Sequence, residues 1–239
     1  MNLFAPPRRF DPTYPELIDR PGTDPALVRE ELQMLESTNL RFGVHQLVAR
    51  SLDQLLDSSR LPSLTILDLA TGAADIPRAV AAWFRARQQP VTITAVDCNP
   101  AVLHIARQSC RDWPEIRLEQ HNLLSLPYPA GSYDLVICSL ALHHFGKADA
   151  IKVLQRVQEL ARVGYVVSDL RRNWLAILVT ELVSRTMVKS PIARHDAPQS
   201  CRAAFTVEEL RTMAKQAGMS HFRIDRHQAV FRMVLEGQK

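Results

Sequence analysis

Glycine is scarce in this sequence, with eight residues in 239. The G-x-G-x-x-G spacing of a dinucleotide-binding turn is missing, since only Gly72 stands where that turn would be. That argues against a nicotinamide cofactor. Cysteine is scarce too. Cys98, Cys110, Cys138 and Cys201 are the only four, and no two have metal-ligand spacing. No metal is expected, and reduced thiols suit a cytoplasmic chain. Long apolar runs are lacking. The longest, residues 174–183, is interrupted by Thr180 and Glu181 and is too short to span a bilayer, so no stable membrane insertion is expected. The opening residues, M-N-L-F-A-P-P-R-R-F-D-P, have no apolar core of the signal-peptide kind. Finally, there is no large excess of either charge: 29 Lys and Arg against 25 Asp and Glu give +4. The basic residues are dispersed, with small groups at Arg8-Arg9 and Arg171-Arg172. They form no stripe that would track phosphates, so no nucleic-acid partner is expected and they read as solvated surface.

What is there is enough for a sizeable core: 46% of residues are hydrophobic, and the length allows one domain with a decorated cap. Residues 1–25 are rich in proline and polar groups and read as an arm without regular structure. Thr23-Asp24-Pro25 starts a helix. Leu27, Val28, Leu32 and Leu35 then share one face, and after a break at Ser37-Thr38-Asn39 a second helix carries Val44, Leu47, Val48 and Leu55. Short apolar runs at 64–69, 91–96, 116–120, 133–139 and 164–169 read as strands. They are separated by helical patterns at 78–88, with Ala79, Val80 and Trp83 inward, from Asn99-Pro100 onward, and at 148–161. That alternation implies five parallel strands. Residues 173–188 read as an inserted helix and 189–204 as a loop. Thr206 and Glu209 form a capping box for a last helix. Two final strands, around Phe222 and Ile224 and around Phe231, Met233 and Leu235, are joined by a short turn at 225–228 into an antiparallel hairpin.

One stretch stands out: I-L-D-L-A-T-G-A-A-D-I-P, residues 66–77. It reads as a strand ending in Asp68-Leu69, a turn of small residues around Gly72, and a helix start. In an open α/β sheet such a turn sits at the carboxyl end of the strand, where ligands bind. Further along, T-I-T-A-V-D-C-N-P puts Asp97 at the end of the second strand. Then come Q-H-N-L-L-S-L-P at 120–127 and G-S-Y-D-L-V-I-C-S at 131–139, running into L-A-L-H-H-F at 140–145.

In that order and spacing, these four segments resemble class I S-adenosylmethionine-dependent methyltransferases, over roughly residues 64–170. Alanine at 70 and 74, where glycine is frequent, is similar to the ubiquinone/menaquinone-type branch. The resemblance implies a Rossmann-like seven-stranded α/β sheet with a C-terminal antiparallel hairpin and helices on both faces. It implies an arm and helical lid over residues 1–58, a methyltransferase domain over 59–239, and a substrate-cap insert at 173–204. It implies S-adenosylmethionine as cofactor. The set that would hold it is Asp68 and the loop Ala70, Thr71 and Gly72 at the methionine end, Asp97 on the ribose, Cys98, Asn122 and Leu123 at the adenine, and Ser139.

Methyl transfer from a sulfonium needs a nucleophile in line with the methyl and, for a phenol, a base. Two histidine sites qualify. His143 and His144 follow the fourth strand, and His195 lies beside Asp196 in the insert. The segment from Arg194 to Thr206 is similar to small methyltransferases of polyketide-type phenols and pyrones. Place after the fourth strand, a carboxylate beside a histidine and the make-up of the insert give His144, His195 and Asp196 as catalytic candidates, His143, Trp174 and Arg202 as substrate-binding ones, and Trp174, Leu178 and Leu182 as an apolar wall. The expected partner is a small-molecule acceptor taking a methyl on a hydroxyl oxygen, with a monomer or homodimer as the assembly. C-methylation of a quinone precursor and non-catalytic binding of the cofactor are the alternatives.

Overall fold

The computed structural model describes residues 5–56, 62–227 and 231–239. The boundary expected between 58 and 59, and part of the turn expected at 225–228, lie outside them. Seven strands form one sheet: β1 (Leu64–Leu69), β2 (Val91–Asp97), β3 (Ile116–Gln120), β4 (Tyr133–Ser139), β5 (Ala161–Leu170), β6 (Phe222–His227) and β7 (Arg232–Gln238). Their order is β3-β2-β1-β4-β5-β7-β6. The first five strands run parallel, while β7 enters antiparallel between β5 and β6. Strand order therefore reverses between β1 and β4, and the crevice at their carboxyl ends is where such a sheet takes a ligand.

The parallel strands are apolar on both faces, and each face has its own core. Leu67 and Leu69 of β1 point to the side covered by α5 (Lys147–Leu160) and α8 (Val207–Gln216), among Val136, Leu154, Leu210 and Met213. Leu64 and Ile66, one pleat away, point to the other side. There α2 (Val44–Leu56) and α3 (Asp75–Arg85) supply Leu52, Val80 and Phe84. A third, smaller cluster joins Val28 and Leu32 of α1 (Pro25–Arg41) to Ala73 and to Val102 and Ile105 of α4 (Pro100–Ser109). Through it α1 lies over the turn that follows β1. Among the described residues, no helix is long and apolar enough to cross a membrane.

Several sequence expectations need correction. Residues 189–204 are not a loop: α7 (Pro191–Ala203) follows α6 (Trp174–Thr186) closely. Ser190 caps it, its hydroxyl accepting from Ala193 N. Pro191 sits at the first helical position, where its missing N–H costs nothing, and only Pro198 interrupts the ladder. Burial of Ile192, Ala193, Ser200 and Cys201 offsets that loss. The α1 helix does not break at Ser37-Thr38-Asn39 but runs through to Arg41, because Asn39 faces inward and finds partners. The third helix starts at Asp75, and its inward side chains are Ile76, Val80, Ala81 and Phe84, with Ala79 and Trp83 only half-buried. Arg8 and Arg172 are not solvated. Arg172 is buried, and its Nε donates to Pro6 O at 2.8 Å. Arg8 donates to Phe145 O at 2.7 Å, and its guanidinium lies 3.8 Å from the Phe205 ring centre.

The register of β5 against β7 sets Gly237 opposite Tyr165. A Cβ on Gly237 would lie 2.3 Å from the tyrosine ring, and one on Gly164 would lie 2.7 Å from Gly237 O. Gly237→Ala should therefore overpack the contact between β7 and Tyr165 of β5 and cost about 1–3 kcal/mol, read as a lower midpoint in urea unfolding. An unchanged midpoint would mean that Tyr165 moves aside freely.

Candidate active site

The turn after β1 is built from left-handed backbone. Ala70, Gly72 and Ala74 have φ of 56°, 57° and 60°. Only Gly72 takes that conformation freely; the two alanines carry strain of about 1–3 kcal/mol each, a cost usually kept at functional sites. A fourth such residue, Leu140 at φ 55°, follows β4 next door. Its N–H donates to Ser168 O at 2.8 Å. Strain thus collects at the two strand ends that flank the crevice. Thr71 is buried and its N–H donates to Val96 O.

Asp97 closes the other side of this turn. Its Oδ2 accepts from Gly72 N and its Oδ1 from Asn99 N, both at 3.0 Å. Burial raises its pKa, while those N–H groups pull the other way. Each oxygen keeps a further lone pair for a ligand hydroxyl. Asp68 is fully enclosed, and burial pushes it up to about 8. A ligand ammonium beside it would favour the charged form again. Cys98 is exposed at the rim. Asn122 caps a short 3-10 turn through Leu124 N, and Leu123 is buried beneath it. The hydroxyls of Ser139 and Ser168, register partners at the ends of β4 and β5, are buried and find no partner among the described residues.

Across the crevice, His143 and His144 sit in the 3-10 turn after β4. His143 is buried. Its Nδ1 lies 2.6 Å from Asp169 Oδ1, and its backbone N–H donates to Asp169 Oδ2 at 3.1 Å. Burial alone would raise Asp169; His143, Leu170 N–H and His144 outweigh it and hold the carboxyl below its ordinary value. His144 is partly exposed and lies 3.1 Å from Asp19. Burial alone would lower its pKa. Contact with Asp19 and the charges of Glu16, Asp19 and Asp169 win and push it up to about 9. Glu16 approaches both rings and accepts the Ser200 hydroxyl at 2.5 Å.

Glu16 and Asp19 come from the arm, which is fastened along its length. Asp196 accepts Leu17 N at 2.8 Å and Ile18 N at 3.1 Å, anchoring the 3-10 turn Leu17–Asp19. The chain there also reaches Asn99, whose amide lies 3.5 Å from Ile18 O. His195 does meet its neighbour, with Nδ1 2.7 Å from Asp196 Oδ1, but its Nε2 turns to Tyr14 OH at 3.4 Å. Arg202 pairs with Glu181. Trp174, Leu178 and Leu182 are 60–66% exposed and form no wall around the crevice. The reason is that Ala176, Thr180 and Ser184, the smaller residues of α6, take the side that packs inward, with Thr180 against Cys201 of α7. The carboxyl ends of β1, β2 and β4 thus lead into the Gly72 turn, Asp97, Ser139, His143 and His144, while His195 and Asp196 of α7 face the arm, Arg202 pairs with Glu181 and Trp174 is exposed. Asp169, Glu16 and Asp19 escaped the sequence reading. Asp169 had a signal: like Asp97, it is an acidic residue closing an apolar strand. Glu16 and Asp19 had none, since proline-rich sequence gives no period to follow.

The order of the sheet, its hairpin and the strained turn beside Asp97 define a Rossmann-like fold of the methyltransferase type. Residues 66–164 match the family described as Methyltransferase domain. The chain is similar to the demethylmenaquinone methyltransferase of Deinococcus radiodurans, 36% identical over 81 residues, covering 34% of this chain and 32% of that one. It is 25% identical to the demethylmenaquinone methyltransferase of Tropheryma whipplei over 166 residues, 65% of this chain and 66% of that one. The structure of human N-acetylserotonin methyltransferase in complex with S-adenosylmethionine superimposes with a TM-score of 0.63 at 17% identity, over 90% of this chain and 56% of that one. The matched stretch thus spans about a third of the Deinococcus relative's length. Residues 66–164 are thus similar to a methyltransferase domain, on a fold shared with S-adenosylmethionine-dependent methyltransferases.

The histidine site yields a pH dependence. His144 has a folded value of about 9 against an ordinary 6.5. A raised histidine contributes its stability in full below pH 6.5 and loses it as pH climbs through 9. Thermal melts of wild type and His144→Asn should therefore differ most below pH 6.5, with the gap closing towards pH 9. A gap that stays constant would place the titration on another group.

Proposed function

We propose that the protein transfers the methyl group of S-adenosylmethionine to a hydroxyl oxygen of a small aromatic, pyrone or quinone-type acceptor. The observation that carries this is the convergence of two carboxylate-backed sites on one crevice, Asp97 beside the β1 turn and His143 on Asp169. The cofactor supplies an activated methyl on a sulfonium. The residues present fit it. The left-handed turn at 70–74 lets a ligand approach the backbone, and Asp97 is set to accept the ribose hydroxyls. Asp68 is placed for the ammonium, directly or through water, and the orphaned Ser139 hydroxyl can take one more polar contact. Cys98, Asn122 and Leu123 would flank the adenine.

On the acceptor side, His143 and His144 handle the proton of the attacking hydroxyl. Asp169 holds the His143 ring in one tautomer, as a carboxylate behind a catalytic imidazole does. The positive charge favoured on His144 stabilises an ionised acceptor oxygen. Because Glu16 and Asp19 now face these rings, the acceptor enters as the arm gives way. We assign α1 and α2 as the lid over the cofactor, and α6 with α7 as the cap on the acceptor side. His195 and Asp196 then act on the arm's seating rather than on the methyl. A cytoplasmic setting and a monomer or homodimer belong to the same reading.

C-methylation of a quinone precursor is the second reading, favoured by the names of the relatives from Deinococcus and Tropheryma. Incubation with S-adenosylmethionine and a panel of phenols, hydroxypyrones and demethylated quinols tests both, with the methylated atom identified by nuclear magnetic resonance. An O-methyl product supports the first reading, a ring methyl the second, and no product with any acceptor defeats both. Two variants should separate the halves of the site. Asp97→Ala loses charge-assisted hydrogen bonds of roughly 1.5–3 kcal/mol, so calorimetry should show affinity for S-adenosylmethionine about tenfold or more weaker. His143→Ala or His144→Ala should cut turnover by about 10² to 10⁴ with cofactor affinity intact. Wild-type affinity in a folded Asp97 variant would remove the ribose assignment.

A further inference from the structure

His143 and His144 stand side by side after β4, with ring centres 4.3 Å apart. Each has its Nδ1 taken by a carboxylate, Asp169 at 2.6 Å on His143 and Asp19 at 3.1 Å on His144. Both Nε2 atoms then face the same third carboxylate, Glu16, at 3.8 Å and 3.9 Å. Those separations are too long for hydrogen bonds, which need about 2.7–3.2 Å. Yet two of the groups are removed from water, with His143 4% and Glu16 9% exposed, while His144 keeps an edge to solvent. Two imidazoles and a carboxylate thus converge without bonding to one another. One donor atom from each lies within 4.8 Å of the other two. Ligand atoms about 2.1 Å from a zinc ion in tetrahedral geometry lie about 3.4 Å apart, so a contraction of at most about 1.4 Å would close the set. Support of the far imidazole nitrogen by a carboxylate is the usual outer shell of a histidine ligand, fixing the tautomer that leaves Nε2 free. Here both histidines have that support.

We infer that Glu16, His143 and His144 form a binding site for one first-row divalent cation, with Asp169 and Asp19 as positioning residues. Two nitrogen donors and one oxygen favour ions such as Zn²⁺, Co²⁺ or Fe²⁺ over Mg²⁺ and Ca²⁺, which prefer oxygen alone. Four-cysteine knuckles are the familiar sequence sign of such ions, and cysteine spacing carries no information about adjacent histidines met by a glutamate from the far end of the chain. Three protein ligands leave coordination positions open. Beside the methyl-transfer crevice, those positions suit an acceptor with two adjacent oxygens, an ortho-dihydroxy or hydroxy-carbonyl ring. A Lewis acid there would lower the pKa of the hydroxyl to be methylated. This choice of acceptor rests on the proposed methyl transfer, whereas the cation site does not.

The test uses the full chain without an affinity tag, stripped with a chelator and titrated with Co²⁺ in the absence of cofactor and acceptor. Visible d–d absorption should saturate at one equivalent and vanish when Zn²⁺ is added. Glu16→Gln and His143→Ala should each weaken Co²⁺ binding by about tenfold or more, and Asp169→Asn by about 10- to 100-fold. His104→Ala, on the exposed side of α4, should bind as wild type. Circular dichroism reports whether each variant folds. Should His143→Ala fail to fold, Glu16→Gln decides, because it alters only the arm. Absence of Co²⁺ uptake, or equal uptake by Glu16→Gln, overturns the site. Calorimetry with S-adenosylmethionine runs alongside. Cofactor binding and full turnover in chelator without Co²⁺ uptake would remove the cation and leave the methyltransferase. Co²⁺ uptake without cofactor binding would do the reverse.

Discussion

Everything at the functional end of this molecule depends on one backbone constraint: the chain must leave β1 and β4 through sharp left-handed turns. Ala70, Gly72, Ala74 and Leu140 all carry positive φ. For three of the four this is strained, and only a surrounding structure that over-determines the conformation can hold it. The core supplies that. Ala74 is fully buried, Leu32 of α1 approaches the Gly72 backbone, and Ala73 joins the cluster of Val28, Val102 and Ile105. The return is geometric. The turn brings backbone N–H groups, the buried Asp68 and the carboxylate of Asp97 to one place, at strand ends beside the histidines after β4.

A second network stands behind the same turn. Asp75, the first residue of α3, accepts from Asn39 at 2.8 Å and lies 3.0 Å from His45, while Asn39 accepts from the buried Arg232 at 2.7 Å. Burial alone would raise Asp75, but His45 and Asn39 outweigh it and hold the carboxyl below its ordinary value. An anionic group also suits a helix N-terminus. This chain ties α1, α2, α3 and the start of β7 together, so the helices over the crevice are fixed to the sheet by polar contacts as well as apolar ones. On the opposite flank the arm is held by main-chain contacts: Arg8 and Arg172 bind carbonyls, and Asp196 binds two amides. Cations and carboxylates that would be costly if buried alone are each satisfied by backbone groups.

Much of this was legible beforehand. Apolar strands broken by helical periods gave the five parallel strands and the hairpin, because burial on both faces leaves a continuous apolar signature and an antiparallel pair leaves an alternating one. The turn around Gly72, with Asp68 and Asp97 at the ends of its neighbouring strands, was legible because small residues and strand-end acids stand close together in sequence. The helix α7 was misread, since two prolines and several polar residues imitate a loop, and its inward face appears only when the neighbours it packs against are known.

The sequence by itself determined the strands of the sheet, the small-residue turn around Gly72 and the pair His143-His144, all of which are local patterns that a short window contains. Only the tertiary structure decided which groups those histidines meet. Asp169 comes from β5, and Glu16 and Asp19 come from the arm, with Ser200 of α7 donating to Glu16. It also decided that Asp196 seats the arm and that Trp174 faces outward. The physical reason is the same in each case. Periodicity records whether a residue is inside or outside its own element, but a charge finds its partner through chain topology, which brings residue 16 against residue 143 with no trace in the sequence between them.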